Sequence, residues 1–230
     1  MSTSWFPARW PAQDADVIQL YTMATPNGQK VSVCLEEMGL PYEAHTINIM
    51  KNDQFDPDYL KLSPNGKIPT LLDPHGPEDQ PILLMESVVI LQYLADKTGR
   101  FFPQNYRARM EGLQWLTFQA AHIGPMFGQF GHFHLFAKDK TTDSYARERY
   151  TTEAKRLFKV LDTRLAGRDY ILDDYSIVDM AIMPWVEGVV NFYKAADVME
   201  LDTLKNVQGW RARVTSRPAY QRGKDVGRLG

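Results

Sequence analysis

The order of hydropathy patterns in the first hundred residues restricts this chain more than any other feature. Val17-Ile18-Gln19-Leu20-Tyr21 has the character of a short strand, and Thr25-Pro26-Asn27-Gly28 behind it is a run of turn formers. Over residues 29–38 the apolar Val31, Val33, Leu35 and Met38 predict a helix, with Gly39 placed to stop it. Residues 42–48 alternate apolar and polar, as a second strand does. Strand, helix and strand in that order give a parallel pair with a right-handed crossover. A short helical piece is expected around residues 57–62. Residues 68–73 and 81–85 predict a hairpin across Pro74-His75-Gly76-Pro77. An amphipathic helix over residues 87–97, ended by Gly99, completes the order βαβ, α, ββα.

Near residue 100 the architecture changes. From about residue 107 onward only helix-period patterns occur. Residues 107–130 predict one long helix and residues 144–166 a second. Ser176-Ile177-Val178-Asp179 predicts a capping box that opens a buried helix through Ala181, Ile182, Val186 and Val189. A last helix is expected over residues 207–215, before Ser216-Arg217-Pro218. The expected organisation is an arm over residues 1–16, an α/β domain over 17–99 and an all-helical domain over 107–230. Trp5, Phe6 and Trp10 make the arm too aromatic for a pure linker. It is either a tail packed on the surface or a segment that covers a site mouth or a subunit interface. Trp115 and Trp185 are expected in the core.

Composition narrows the setting. A net charge of -2 over 230 residues gives no general attraction to nucleic acid or anionic membrane. The single cysteine, Cys34, cannot form an internal disulfide, the N-terminus lacks the apolar stretch of a signal peptide, and no apolar run approaches the ~20 residues of a membrane span. A cytoplasmic protein is expected.

Two segments carry chemistry. In Ser63-Pro64-Asn65-Gly66-Lys67-Ile68-Pro69-Thr70-Leu71, a cis Ile68-Pro69 bond would turn the backbone N–H and C=O of Ile68 outward, where a peptide ligand can pair as an added strand. Spacing alone favours the trans bond, since only ~5% of X-Pro bonds are cis. Glu86-Ser87 stands at the start of a long helix. The Ser87 hydroxyl and the open N–H groups suit a carboxylate, and the Glu86 side chain suits an ammonium. By itself the pair reads better as an ordinary N-cap.

Together these segments resemble the glutathione site of the glutathione transferase superfamily, over almost the whole chain from about Val17 to Arg222. The resemblance implies a thioredoxin-like α/β N-terminal domain, an all-α helical-bundle C-terminal domain, a cis Ile68-Pro69 bond and a homodimer. Thr25-Pro26-Asn27-Gly28-Gln29-Lys30, Gln114-Trp115-Leu116, Gly124-Pro125-Met126 and Glu148-Arg149-Tyr150 are similar to the bacterial Nu class and the related yeast nitrogen-regulator proteins. That subgroup implies Thr25 and Asn27 as catalytic residues beside the glutathione sulfur. It implies Gln54, Lys67, Ile68, Glu86 and Ser87 as glutathione-binding residues, with Arg149 reaching the ligand of the neighbouring subunit.

The activity so implied is a glutathione-linked disulfide reductase with weak transferase and peroxidase activity. Its second substrate would be a small electrophile or disulfide, and the bound glutathione one molecule, two, or the disulfide form. A non-catalytic glutathione-binding regulatory or assembly module is the alternative. Cys34 lies mid-helix between Val33 and Leu35, the setting of an inert buried thiol, so both reducing sulfurs must then come from glutathione. His122, His132 and His134 have no carboxylate or cysteine at ligand spacing, and no metal is expected.

Overall fold

The computed structural model describes residues 6–140 and 142–229, so Trp5 of the arm lies outside the described residues. The chain divides into two compact units, residues Met1–Thr98 with Pro218–Gly230, and residues Gly99–Arg217.

The first unit is built on a four-stranded sheet in the order β2-β1-β3-β4. β1 (Ile18–Thr22) is buried along its whole length and lies centrally. α1 (Pro26–Met38) opens on a proline, earlier than hydropathy suggested. A proline at the first helical position lacks only an N–H that would have no partner there. Gly28 in that first turn has no room for a side chain, because a Cβ would stand 2.0 Å from the Met23 carbonyl oxygen. β2 (Tyr42–Thr46) then pairs parallel with β1. After α2 (Pro57–Leu62), β3 (Thr70–Asp73) pairs antiparallel with β1, and β4 (Ile82–Met85) antiparallel with β3. α3 (Ser87–Thr98) buries Ile90, Leu91 and Leu94, and α1 buries Val31, Cys34 and Leu35. Each such aliphatic side chain contributes roughly 1.5–3 kcal/mol.

A helix that the sequence reading lacked also belongs to this unit. Pro218, taken there as a terminator, instead opens α9 (Pro218–Gly223), which packs on α1. Gly223 makes the approach possible, since a Cβ there would lie 2.6 Å from Val33 Cα. Ser32 Oγ donates to the Gly223 carbonyl at 2.7 Å, and Gln29 Nε2 donates to that of Lys224 at 2.9 Å. The last residues therefore join the α/β unit rather than the helical one.

The second unit comprises α4 (Tyr106–Phe118), α5 (Gly124–Gly131), α6 (Tyr145–Arg164), α7 (Ile177–Glu187) and α8 (Lys205–Thr215). The single helix expected over 107–130 is interrupted in pitch. A π-helical stretch, Gln119–Ile123, joins α4 to α5, and another, His132–Phe136, extends α5. Pro125 supplies a reason for the first, because its missing N–H and its ring prevent a regular bond to the preceding turn. The capping box at α7 is formed. Asp179 Oδ2 accepts from the Ser176 N–H at 3.0 Å and hydroxyl at 3.1 Å, while the Val178 N–H donates to Ser176 Oγ at 3.2 Å. Asp179 Oδ1 accepts from the Ile171 N–H and from Trp210 Nε1, at 3.0 and 2.8 Å. Trp210 is the fully buried tryptophan of this unit, whereas Trp115 and Trp185, expected in the core, are half-buried.

Candidate functional site

The sheet topology gathers the candidate residues of the first unit. Thr22 is level with Thr46 in the parallel pair β1–β2, so the segments after both strands leave from one end. Thr70, the first residue of β3, pairs with Tyr21 near the end of β1, so the turn before β3 arrives there. Met85, the last residue of β4, pairs with Thr70, so Glu86 and the start of α3 emerge there as well. Thr25, Asn27, Gln54, Lys67, Ile68, Glu86 and Ser87 thus lie on segments meeting at one end of the sheet. Arg149 is exposed on α6, in the second unit.

Thr25 occupies the N-cap of α1 in extended conformation, yet its hydroxyl makes no capping hydrogen bond. The hydroxyl and the helix N-terminus therefore both remain available to an anion. Asn27 is half-buried in the first helical turn, with an amide that can donate.

The Ile68-Pro69 bond is cis, as the resemblance implied and against the bare frequency of such bonds. The turn ahead of it is held firmly. The Lys67 carbonyl accepts from Tyr59 Oη at 2.8 Å and from Ser63 Oγ at 2.9 Å, and Gly66 takes the left-handed conformation at φ 60°. The Lys67 side chain is exposed, and Ile68 is half-buried ahead of the first ladder pair of β3. Gln54 sits in the short turn Asp53–Phe55, and its buried Oε1 has no hydrogen-bond partner among the described residues. An orphaned acceptor of this kind costs about 1–3 kcal/mol until a donor arrives.

Glu86 adopts φ 69°, a left-handed conformation that is uncommon for a residue with a side chain. Strain of this kind concentrates at ligand sites and switches. The Glu86 carbonyl accepts from the Ile90 N–H at 3.0 Å, and its exposed carboxylate stands at the rim. Ser87 is buried and its Oγ accepts from Lys30 Nζ at 3.2 Å. Because the ammonium uses an oxygen lone pair, the Ser87 hydroxyl proton is left to donate onward.

Lys30 is the residue that sequence reasoning missed. It is 2% exposed, and burial pushes its pKa down to about 7, partly opposed by Glu86. A signal was present, since Lys30 lies four and eight residues before Cys34 and Met38 on the buried face of α1. Cys34 itself is fully buried, with Sγ 3.7 Å from Met38 Sδ, and burial pushes its thiol well above the ordinary range. It is a packing residue. His134 stacks on the buried Phe130, and His122 and His132 are exposed. Among the described residues no group of three or more His, Cys, Asp or Glu could hold a metal ion, and no helix is long and apolar enough to cross a membrane.

Residues 24–97 match the family model for the N-terminal domain of glutathione S-transferase, and residues 120–218 match that for its C-terminal domain. The disulfide-bond oxidoreductase YghU of Escherichia coli (strain K12) is 43% identical over 221 residues, which cover 92% of this chain and 75% of that protein. A glutathione transferase from Pseudomonas putida, solved with one glutathione disulfide bound per subunit, superimposes with a TM-score of 0.95 at 48% identity, covering 97% of this chain and 98% of that one. One from Burkholderia graminis, solved with two glutathione molecules per subunit, also gives 0.95 at 48% identity, covering 98% and 96%.

Proposed function

Since this chain belongs to the glutathione S-transferase family, we propose that it is a glutathione-dependent disulfide-bond reductase that works without a protein thiol. The observation that carries this reading is the uncapped Thr25 at the start of α1, at the same sheet end as the cis Ile68-Pro69 turn and the Ser87 end of α3. Ile68 pairs through its backbone with the cysteinyl part of glutathione. Ser87 and the N-terminus of α3 take the γ-glutamyl carboxylate, and Glu86 takes its ammonium. Gln54 and Lys67 hold the remaining backbone and the glycyl carboxylate.

The sulfur then faces the Thr25 hydroxyl and the Asn27 amide. A free thiol titrates near 8.5, and lowering that by about two units requires roughly 2.7 kcal/mol of preference for the anion. Hydrogen bonds to a charged group supply about 1.5–3 kcal/mol each, so two donors and a helix N-terminus suffice. The thiolate attacks one sulfur of the substrate disulfide and expels the other as a thiolate, which takes up a proton. A second glutathione thiolate attacks the mixed disulfide, releasing the second substrate thiol and glutathione disulfide. Two electrons pass from two glutathiones to the substrate, with Cys34 uninvolved. The same thiolate supports slower conjugation and hydroperoxide reduction.

The working form we propose is a cytoplasmic homodimer. A groove of about 910 Å³ between α4 and α6, lined by Met110, Trp115, Phe118 and Val160, offers an apolar face for a second copy. Arg149, exposed on α6, is then free to reach the partner's ligand. Light scattering at assay concentration tests the dimer, and a monomer would refute it.

Reduction of a small model disulfide by glutathione, coupled to glutathione reductase, tests the activity. Cys34→Ala keeps the wild-type rate, while Thr25→Ala or Asn27→Ala loses about ten-fold or more in kcat/KM. Loss of activity in Cys34→Ala alone, with folding intact, would overturn the mechanism. Glutathione binding without turnover of disulfides, aryl halides or hydroperoxides would turn the site into a binding module.

A further inference from the structure

The arm ahead of β1 is fastened to the turn that carries Gln54 and to α2, whose Tyr59 holds the turn before Ile68. Arg9 spans Asp53 and Asp56, with Nη1 2.9 Å from Asp56 Oδ2 and Nη2 bonded to Asp53 Oδ1. The Arg9 guanidinium also lies 4.6 Å over the Trp10 ring, and Trp10 meets Tyr59 edge to face at 6.3 Å. Phe6, Trp10 and Ile68 pack against one cluster that contains Tyr21, Ile47, Tyr59, Leu62 and Leu72.

These contacts flank the ligand-facing groups. Asp53 directly precedes Gln54, and its Oδ2 accepts from the Asn48 N–H at 3.0 Å, which closes the turn. Tyr59, braced by Trp10, donates to the Lys67 carbonyl immediately before Ile68. The two turns also touch, since a Cβ on Gly66 would lie 3.3 Å from the Gln54 carbonyl oxygen. Without Arg9, three carboxylates at positions 53, 56 and 58 would crowd this loop, where Lys61 is paired to Asp58. The exposed Arg9–Asp56 pair contributes little to global stability, whereas Asp53 is buried, so its bond to Arg9 is suited to fixing the local geometry of the turn.

We propose that the arm is a strap across the glutathione pocket wall, in which Arg9 and Trp10 are positioning residues that hold the Gln54 side chain and the Ile68 backbone in their ligand-binding arrangement. This rests on the reading above that glutathione occupies that end of the sheet. Ordering these two turns in advance lowers the entropy that the ligand must otherwise supply on binding. Neither residue touches the reacting sulfur, so the strap acts on affinity and not on the chemical step.

The test uses the full chain carrying Arg9→Ala, Trp10→Ala or Trp10→Phe. Glutathione affinity is read by calorimetry, KM and kcat by the coupled disulfide assay, and local opening by hydrogen exchange over residues 47–68 without ligand. Both alanine variants weaken binding and raise KM for glutathione by about five-fold or more, with kcat at saturation within about two-fold. Trp10→Phe restores affinity to within about two-fold, since a smaller ring still meets Tyr59. Exchange over residues 47–68 accelerates in both alanine variants while the rest of the sheet keeps its protection. Unchanged affinity and unchanged exchange in both would overturn the strap, as would a fall in kcat equal to the fall in kcat/KM. If the wild type binds no glutathione, the functional reading fails on its own, and the exchange measurement still decides the strap.

Discussion

Replacing Lys30 with methionine should stabilise the protein at neutral pH, by an amount that shrinks as the pH rises. Lys30 is 2% exposed, with its Nζ 3.2 Å from Ser87 Oγ. Burial lowers its pKa from 10.5 to about 7, and Glu86 opposes the shift only in part. Below about 7 the folded and unfolded chains both hold the proton, and the full penalty of a buried ammonium is present. Between about 7 and 10.5 the unfolded chain holds a proton that the folded chain does not, so wild-type stability climbs with pH across that window. The shift sets a ceiling of roughly 5 kcal/mol, and losing the bond to Ser87 returns part of it. A net gain of about 2 kcal/mol for Lys30→Met near pH 6.5 is the expected outcome.

The assay is urea unfolding of both proteins at steps from about pH 6.5 to 9.5, with the m-value as a check on the unfolded state. The Lys30→Met advantage should fall steadily across the series. A pH-independent difference, or a methionine variant less stable at every pH, would refute the argument. It would mean that Lys30 stays charged in the fold and is fully compensated there. The same residue links stability to binding. A carboxylate placed at Ser87 favours the charged lysine, so S-methylglutathione, whose sulfur has no proton to release, should bind with uptake of part of a proton near pH 8. Calorimetry in buffers of different ionisation enthalpy measures that uptake directly.

Other sites allow shorter tests. Asp179 Oδ1 accepts from two N–H donors and Oδ2 from the Ser176 N–H and hydroxyl, so the NH2 group of Asp179→Asn must face at least one N–H donor in either orientation, and chemical denaturation should show a loss of about 2–4 kcal/mol. Cys34 is fully buried with its thiol pushed upward, so native protein should react with a thiol reagent far more slowly than unfolded protein, and equal rates would refute its packing role. Gly131→Ala would bring a Cβ within 2.2 Å of the Tyr193 ring. It should lower the melting temperature in step with an overpacking cost of about 1–3 kcal/mol.

What was legible in the sequence, and what was not, follows from how far each signal reaches. Strand ends marked by Thr25-Pro26-Asn27-Gly28 and by Ile68-Pro69 could be read locally, and the strand order then brings them together at one end of the sheet. The α9 helix could not, because Pro218 is compatible with stopping one helix and with starting the next. Only the close approach of Gly223 to Val33 decides between them, and that contact spans most of the chain. The π-helical stretches were hidden because one extra residue per turn merely shifts the phase of a hydrophobic stripe. Trp115 misled for a different reason. It was expected in the core, yet it lines the α4–α6 groove, where a large apolar ring suits the surface proposed for a second copy. Lys30 and the arm share a last lesson. A charge on a buried helix face, and aromatics in a segment without periodicity, both departed from what packing alone would select. Both lead to the same sheet end, Lys30 by its bond to Ser87 and the arm by its contacts with Asp53 and Tyr59. Departures from local consistency are expected where a fold supports a ligand, so in this chain they point to the site as directly as the motifs do.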